Sequence, residues 1–213
     1  VTGVQTCAFR SAVSYDYDNN GNRTLVSTPS GSTTYTYYPR NWVKTAVAGS
    51  AVTSFDYYPD GKKKTISYPN GAAIAYTYFP TNRVKTVVNT GAGNTAISSF
   101  AYEYDKNGNR TSQIEIRDGS SETTAYSYDT LDRMQSYTVS DGSDTTTTDY
   151  TFDGYNRASE SVRENGATVT TRSYSYDETD WLSNVQVSEA GVDKTINYTY
   201  DKNGNTVRKQ DTS

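Results

Sequence analysis

The chain has 213 residues and a formal net charge of −4, with 20 basic residues against 24 acidic ones. This balance gives no basic footprint for nucleic acid, and no apolar run reaches the roughly 20 residues that span a bilayer. The absence of histidine from the sequence excludes Ser-His-Asp triads, histidine general bases and histidine-ligated zinc.

Residues 1–11 lie outside the pattern that governs the rest of the chain. This segment contains the only cysteine, Cys7, and resembles the translation of a sequencing-library adapter. We interpret it as a non-native leader and leave it out of fold reasoning, as for any appended scar. Residues 12–213 are predicted to form a single array of about nine repeats.

From residue 15 onward one short unit recurs. Its core is two aromatic residues separated by one spacer, and the second aromatic residue returns every 20 to 26 residues. A period in this range is typical of an array of one supersecondary unit. The nine aromatic pairs are Tyr15/Tyr17, Tyr35/Tyr37, Phe55/Tyr57, Tyr76/Tyr78, Tyr102/Tyr104, Tyr126/Tyr128, Tyr150/Phe152, Tyr174/Tyr176 and Tyr198/Tyr200.

Each repeat predicts a β-hairpin. In residues 111–129, Ile114 and Ile116 alternate with polar residues, Gly119 marks a turn, and a segment rich in Thr and Tyr completes the second strand. No stretch has a sustained helical period. The fold class is therefore predicted as all-β, with about eighteen short antiparallel strands and essentially no helix.

Tandem hairpins of this number should form one long, curved and twisted sheet, a spiral or a partial shell. Neighbouring strands rotate by about −20 to −25°, and sheets beyond about 10 strands curl, split or flatten. Side chains alternate between faces, so both aromatic residues of each pair should share one face. Since Leu, Ile, Val and Phe total only 31 of 213 residues, we expect the tyrosine columns to replace an aliphatic core.

An acidic residue follows the second aromatic residue in six repeats. The functional interpretation is a general acid/base pair, for example Asp16 with Asp18. Six copies at one turn position favour a structural role, in which aspartate accepts backbone N–H groups of the turn. The six are Asp18, Asp105, Asp129, Asp153, Asp177 and Asp201. The other turn residues of the repeats are Gly21, Asn22, Gly61, Gly108, Asn109, Gly204 and Asn205.

The string Asp105, Asn107, Asn109 resembles the start of a calcium loop. Arg110 follows where such a loop has glycine, and Asn-Gly is itself a strong hairpin signal. A turn is favoured over a calcium site. We expect no cofactor, no metal and no enzymatic activity.

Two further residue types recur beside these turns. Trp42 and Trp181 occupy equivalent positions and are expected to pack over the edge of the ladder. The arginines are expected to pair with neighbouring aspartates. These are Arg23, Arg83, Arg110, Arg133 and Arg157.

The Tyr-x-Tyr-Asp-x-x-Gly-Asn unit resembles the YD repeat of the Rhs family, which includes bacterial Rhs and wall-associated proteins, the C subunits of Tc toxins and the teneurins. The resemblance covers about residues 13–209. It implies a non-enzymatic shell segment of a secreted or cell-surface bacterial protein that encloses or carries a toxin cargo. The implied partners are the remaining repeats and the C-terminal cargo of the parent protein, with no nucleic acid and no membrane span.

Two observations qualify what the resemblance implies. The family's core motif, with its Asp-Pro and self-cleaving aspartates, is not found, and no toxin segment follows Ser213, so we interpret the chain as an internal fragment. The tyrosine columns could also form a carbohydrate platform, although stacking between neighbouring repeats is favoured. The alternative function is therefore an extracellular carbohydrate- or protein-binding repeat module.

Overall fold

A computed structural model describes residues 13–212 as a succession of antiparallel β-strands that belong to one sheet. The leader 1–11 and Cys7 lie outside the described residues. The strands are β1 (Ser14–Tyr17), β2 (Arg23–Thr28), β3 (Gly31–Tyr37), β4 (Val43–Ala48), β5 (Ala51–Tyr57), β6 (Lys63–Ser67), β7 (Ala73–Tyr78), β8 (Val84–Thr90), β9 (Ala96–Tyr104), β10 (Arg110–Arg117), β11 (Ser120–Tyr128), β12 (Met134–Ser140), β13 (Thr145–Asp153), β14 (Asn156–Glu164), β15 (Ala167–Tyr176), β16 (Leu182–Glu189), β17 (Val192–Tyr200) and β18 (Thr206–Thr212).

The prediction of an all-β fold with about eighteen antiparallel strands is confirmed. Within residues 13–212 the helical content is one 3₁₀ turn, Ala92–Asn94, in the loop between β8 and β9. No helix in this part of the chain is long and apolar enough to cross a bilayer.

Two compact units make up the chain, the first ending at Ser99 and the second beginning at Phe100. The boundary falls inside β9. The first unit contains β1 to β8, and the second contains β10 to β18. The single array over residues 12–213 stays a prediction.

In the first unit, consecutive strands pair from β1 to β8. The first aromatic residue of every pair lies directly opposite an aliphatic residue of the returning strand. Ile66, opposite Phe55, is the most buried of these, at 7% exposure. The opposed residues are Tyr15 and Val26, Tyr35 and Ala46, Phe55 and Ile66, and Tyr76 and Val87.

In the second unit, β10 to β18 also pair consecutively. The residues opposite the first aromatic residue are more polar here: Tyr126 opposes Tyr137, Tyr150 opposes Glu160, Tyr174 opposes Val185 and Tyr198 opposes Lys209. The buried residues of this unit are Val185, Thr124, Thr148 and Thr170.

Burial alternates along the strands as the aromatic pattern predicts. Tyr35 and Tyr37 are half-buried while Thr36 between them is exposed, and the same alternation holds at Tyr126, Ser127 and Tyr128. The first pair departs from it, because Tyr15 and Tyr17 are both exposed. Each of the five buried residues lies on the same face of the sheet as an aromatic pair. It is either directly opposite an aromatic residue or an even number of residues from one in its own strand. The core is therefore a thin layer on the aromatic side of the sheet.

A β-bulge recurs at the second aromatic residue. In β3 and β4, for example, Thr36 opposes Thr45 and Tyr37 opposes Val43, which leaves Lys44 as the extra residue. Such a bulge increases the local twist and re-aims the side chains that follow. The extra residues of the eight bulges are Thr24, Lys44, Lys64, Lys85, Gln135, Ala158, Ser183 and Val207.

Candidate functional surface formed by the aromatic columns and the YD turns

The turns that follow each second aromatic residue, here called YD turns, share one backbone geometry. In the first, the Asp18 N–H donates to the Asn22 carbonyl at 2.9 Å and the Gly21 N–H donates to the Asp18 carbonyl at 3.0 Å. The fourth residue has a left-handed φ, which Gly, Asn and Asp adopt at least cost. The fourth residues are Gly21, Asn41, Gly61, Asn82, Gly108, Asp132, Asp180 and Gly204.

Where a YD turn begins with aspartate, the carboxylate organises the loop. Asp105 Oδ1 accepts the N–H groups of Gly108 and Asn109 at 2.7 and 2.9 Å, and its Oδ2 accepts the Asn109 side-chain amide at 3.0 Å. Because these oxygens accept bonds within the turn, the geometry is that of an Asx-type turn. Equivalent bonds to turn N–H groups are made by Asp18, Asp129, Asp177 and Asp201.

The same bonds lower the pKa of these aspartates. At Asp18 and Asp201 the side-chain amides of Asn22 and Asn205 contribute most to the lowered pKa. At Asp105 and Asp129, partial desolvation raises the pKa, but the hydrogen bonds from Asn109 and Arg133 outweigh it. Hydrogen bonds to the charged form favour that form, so these groups remain carboxylate acceptors at neutral pH.

Asp153 departs from the predicted column. It is the last residue of β13 and pairs with Asn156 across the ladder, which leaves a two-residue turn of Gly154 and Tyr155. Four residues separate Phe152 from its partner Arg157, whereas five separate Tyr17 from Arg23 and the corresponding residues of the other YD turns. As a result Tyr155 projects from the edge, at 92% exposure.

The two tryptophans, expected to pack over the edge of the ladder, pack specifically over the next YD turn. The Trp42 and Tyr57 ring centroids lie 5.3 Å apart, and a Cβ built on Gly61 would lie 2.8 Å from Cζ2 of Trp42. The Trp181 ring lies 5.3 Å from that of Tyr200, beside Gly204. Glycine at these turns therefore leaves room for the ring of the preceding repeat.

Trp42 is the fifth residue of its YD turn, and other side chains at this fifth position also contact the next repeat. The Arg133 guanidinium lies 4.2 Å from the Phe152 ring centroid, and the Lys62 ammonium lies 5.4 Å from that of Tyr78. Both are cation–π contacts, of the kind favoured near aromatic faces. Asparagine at this position reaches the fourth residue of the next turn instead: Asn22 donates to Asn41 at 2.8 Å, Asn109 to Asp132 at 2.7 Å and Asn156, in the shorter turn after Phe152, to Asp180 at 2.9 Å.

Tyrosine hydroxyls add a second tie between hairpins, which the sequence reasoning missed. The Tyr37 hydroxyl donates to the Arg23 carbonyl at 2.7 Å, and the Tyr128 hydroxyl donates to the Arg110 carbonyl at 2.9 Å. Tyr176 and Tyr200 donate in the same way to Arg157 and Leu182. In these four bonds the acceptor is the first or second residue of the returning strand of the preceding hairpin.

The expectation that arginines pair with aspartates is correct for Arg133, whose guanidinium lies 2.6 Å from Asp129. Three others lie over rings. Arg23 lies between Tyr15 and Tyr35, at 5.7 and 5.5 Å from their centroids. Arg110 lies between Tyr102 and Tyr126, and Arg157 lies over Tyr150. Column spacing brings two rings within reach of one guanidinium, which explains the difference from the prediction.

Glu160 forms the centre of a charged cluster on the aromatic side of the second unit. Its side chain is 14% exposed and contacts Arg172 and Arg157, the latter at 3.4 Å. The Tyr174 hydroxyl lies 3.4 Å from Glu160. Burial, with the nearby Glu160 charge, raises the pKa of Tyr174. The cluster neutralises a carboxylate where the first unit places aliphatic residues.

Open clefts lie between successive YD turns within each unit. One of 380 Å³ in the first unit is lined by Tyr58, Lys62 and Phe79, and one of 590 Å³ in the second by Tyr155 and Asp180 among others. In residues 13–212 no group of three His, Cys, Asp or Glu side chains is arranged to hold a metal ion.

Comparison with known proteins gives one family and one recurrent fold. Residues 104–144 match the model of the RHS Repeat family. Two crystal structures titled TcdB2-TccC3 and TcdB2-TccC3-TEV contain a similar fold, with TM-scores of 0.63 and 0.61 at 15% identity. They are matched over 93% and 92% of this chain, which corresponds to 14% and 13% of theirs.

No curated protein matches the sequence significantly. The chain spans about one seventh of the length of the solved structures it resembles. At this identity the structural likeness shows the fold, whereas the family match comes from residues 104–144, which hold the Tyr104 to Asn109 turn. The resemblance predicted from the sequence is confirmed over residues 104–144, which match the RHS Repeat model, and part of the TcdB2-TccC3 structures has a similar fold.

Proposed function

We propose that this chain is a non-enzymatic wall segment of an Rhs-like secreted or cell-surface bacterial protein, and that the wall encloses or carries a polypeptide cargo. The observation that carries the proposal is the direction of the side-chain ties, which run from each hairpin to the next. Such nearest-neighbour contacts build an extended surface by repetition. A wall has to be continuous in this way, whereas a catalytic site needs groups that converge on one place.

The state of the polar groups supports the non-enzymatic part of the proposal. Asp105, like the other four aspartates that organise a YD turn, accepts three hydrogen bonds, and its lowered pKa keeps it ionised. A general acid requires the opposite shift. The carboxylates therefore suit a turn scaffold better than proton transfer.

The family resemblance supports the cargo part. The RHS repeat match and the fold shared with part of TcdB2-TccC3 agree with a segment of a much longer chain. In bacterial members of the family the shell is expected to surround a C-terminal toxin. The partners proposed for this segment are accordingly further repeats and such a cargo.

Protease protection in the full-length parent protein tests the proposal. The parent is expressed with its flanking sequence, digested, and compared with its isolated C-terminal segment. The wall function predicts that the segment resists digestion in the parent and is digested rapidly alone. Equal digestion rates would contradict an enclosing wall.

A glycan array with the same parent separates the wall from the alternative binding module. The rings of the columns contact one another or a neighbouring cation, which suits stacking within the sheet. We therefore expect no ring-dependent glycan binding. Glycan binding that is lost on Tyr17→Ala, an exposed ring of the columns, with Tyr35→Ala as the half-buried control, would favour the binding module.

A further inference from the structure

Five Asn-Gly pairs lie in turns of this chain, and the structure treats one of them differently. In four pairs the glycine N–H donates to the carbonyl three residues earlier, at 3.0 to 3.2 Å. These bonds hold the glycine nitrogen inside the turn. The four glycines are Gly21, Gly71, Gly108 and Gly204.

The fifth pair, Asn165-Gly166, forms a two-residue hairpin turn with φ values of +49° and +84°. Within residues 13–212, no hydrogen bond of the kind made by the other four glycines is found for the Gly166 N–H. Both residues are exposed, and nothing lies within 4 Å of a Cβ built on Gly166. The pair therefore lies at an exposed tip, and its glycine N–H is outside the turn hydrogen bond that the other four glycines make.

The neighbouring hairpin tip forms two hydrogen bonds with the Asn165 side chain. The Thr145 N–H donates to Asn165 Oδ1 at 2.8 Å, and Asn165 Nδ2 donates to Asp144 Oδ1 at 2.8 Å. A donor on the carbonyl oxygen stabilises the negative charge that develops there when a nucleophile adds to the carbon. A carboxylate beside the nitrogen can pass a proton to it as it leaves.

We propose that Asn165 is a self-modifying residue that deamidates faster in the folded chain than the other four Asn-Gly pairs. The Gly166 nitrogen forms a bond to Asn165 Cγ and loses its proton. The Cγ–Nδ2 bond breaks, and Nδ2 leaves as ammonia after taking up that proton through Asp144. Water then opens the cyclic imide to aspartate or isoaspartate, so the only co-reactant is solvent.

The modification would loosen the contact between two adjacent hairpin tips. The amide that donates to Asp144 becomes a carboxylate facing a carboxylate, which is repulsive at close range. An isoaspartate also lengthens the backbone beside the Asn165 N–H, which donates to the Thr145 carbonyl at 2.8 Å. Deamidation at Asn165 would slowly and irreversibly break the contact between its hairpin tip and the tip that contains Asp144 and Thr145 in the second unit.

Peptide mapping of the whole chain tests the proposal. The protein is incubated in mildly alkaline buffer, folded or in denaturant, and conversion at each Asn-Gly pair is followed by mass spectrometry. In denaturant the five rates should be similar. In the folded chain the four held pairs should slow by about fivefold or more, the effect of one turn hydrogen bond, while Asn165 keeps its rate. Slowing of Asn165 to the same degree, or faster conversion at another pair, would overturn the proposal.

Variants test the part assigned to Asp144. Asp144→Asn keeps an acceptor oxygen near Asn165 but removes the carboxylate, and should slow conversion of the folded chain about fivefold while leaving the denatured rate unchanged. Glu164→Gln removes an adjacent charge outside the contact and serves as the matched control, with no change expected. An unchanged folded rate in Asp144→Asn would contradict the role of the carboxylate.

Discussion

The first unit carries eight basic and four acidic residues over positions 13–99, whereas the second carries eleven basic and twenty acidic residues over positions 100–213. The YD turns of the two units have the same backbone conformation but different side chains. Three YD turns of the first unit begin with an aromatic residue and proline, while those of the second begin with aspartate. In the first unit, the Tyr38 ring packs edge-on against Tyr57, and Tyr58 packs in the same way against Tyr78.

This difference shows that the repeated hairpin depends on the backbone conformation of the turn and on the spacing of the aromatic columns. It does not depend on one type of side chain at the start of the turn. A ring with proline and a carboxylate with N–H donors both support the left-handed fourth residue. The turn aspartates contribute to the difference in charge between the units, which is +4 in residues 13–99 and −9 in residues 100–213. The net charge of the whole chain conceals this asymmetry, so the exclusion of a basic footprint from the sequence applies to the chain and not to its first unit.

The largest expected effect lies at the residue opposite the first aromatic residue. Ile66→Ala in the first unit removes a buried side chain and should lower the free energy of unfolding by about 3 kcal/mol. Glu160→Ala, at the equivalent register position of the second unit, should cost about 1 kcal/mol, because only hydrogen bonds to a half-buried group are lost. Urea unfolding measures both. Equal losses would contradict the difference between an aliphatic and a charged column.

A smaller effect separates backbone strain from the packing of tryptophan. Gly61→Ala places a Cβ 2.8 Å from Trp42 at a φ of +91°, and should cost about 2 to 3 kcal/mol. Gly21→Ala has a similar φ of +80° with nothing within 4 Å, and should cost about 1 kcal/mol. Unfolding midpoints in urea give the comparison. The same loss in both variants would mean that the Trp42 contact contributes nothing.

A third prediction concerns the aspartate turns of the second unit. Asp129→Ala removes the acceptor of the Leu131 and Arg133 N–H groups and should lower the unfolding midpoint. Asp153→Ala, at the same sequence position but on the ladder, should lower it less. Hydrogen exchange of the amides in each turn reports the local effect. A larger loss at Asp153 would contradict the distinction between the two turns.

The smallest expected difference is in acid. Hydrogen bonds from the Asp144 and Ser143 N–H groups lower the pKa of Asp141 to about 2, and the pKa of Asp105, Asp129, Asp177, Asp201 and Asp211 is also lowered. The folded state then binds fewer protons than the unfolded state, so this stability is present above the ordinary pKa of 3.8 and is lost as the pH falls through the folded pKa.

Only Asp18 and Asp60 have a lowered pKa in the described part of the first unit. Amide exchange measured between neutral pH and about pH 2 should therefore accelerate more in the second unit than in the first, after correction for the intrinsic pH dependence of exchange. Greater acceleration in the first unit would contradict this assignment.

The strands and the shared face of the aromatic pairs could be predicted because period-two alternation is a local property of the sequence. The left-handed turn position could be predicted because Gly, Asn and Asp mark it. The bulge could not, since its extra residues, among them Lys44, Gln135 and Ala158, share no chemistry. Its only signal is the spacing of the partners in the returning strand. Tyr35 and Tyr37 are two residues apart, whereas their partners Ala46 and Val43 are three apart.

The ties between repeats were missed for a different reason. They join residues about 20 positions apart, such as Trp42 and Gly61, and depend on the spacing of columns in three dimensions. The number and sign of the charges in the sequence do not show whether Arg23 contacts an aromatic ring or a carboxylate. The one-residue shortening at Asp153 was hidden because the letters before it, Phe152 and Asp153, continue the repeat without a break.

A double-mutant cycle between Trp42 and Gly61 tests most directly the claim that side chains of one hairpin secure the next. Trp42→Ala, Gly61→Ala and the double variant are compared by urea unfolding. The account predicts that the clash penalty of Gly61→Ala disappears when the ring is absent, which gives a coupling energy of about 1 kcal/mol or more. Additive losses in the double variant would show that the two turns do not contact each other, and would contradict the account.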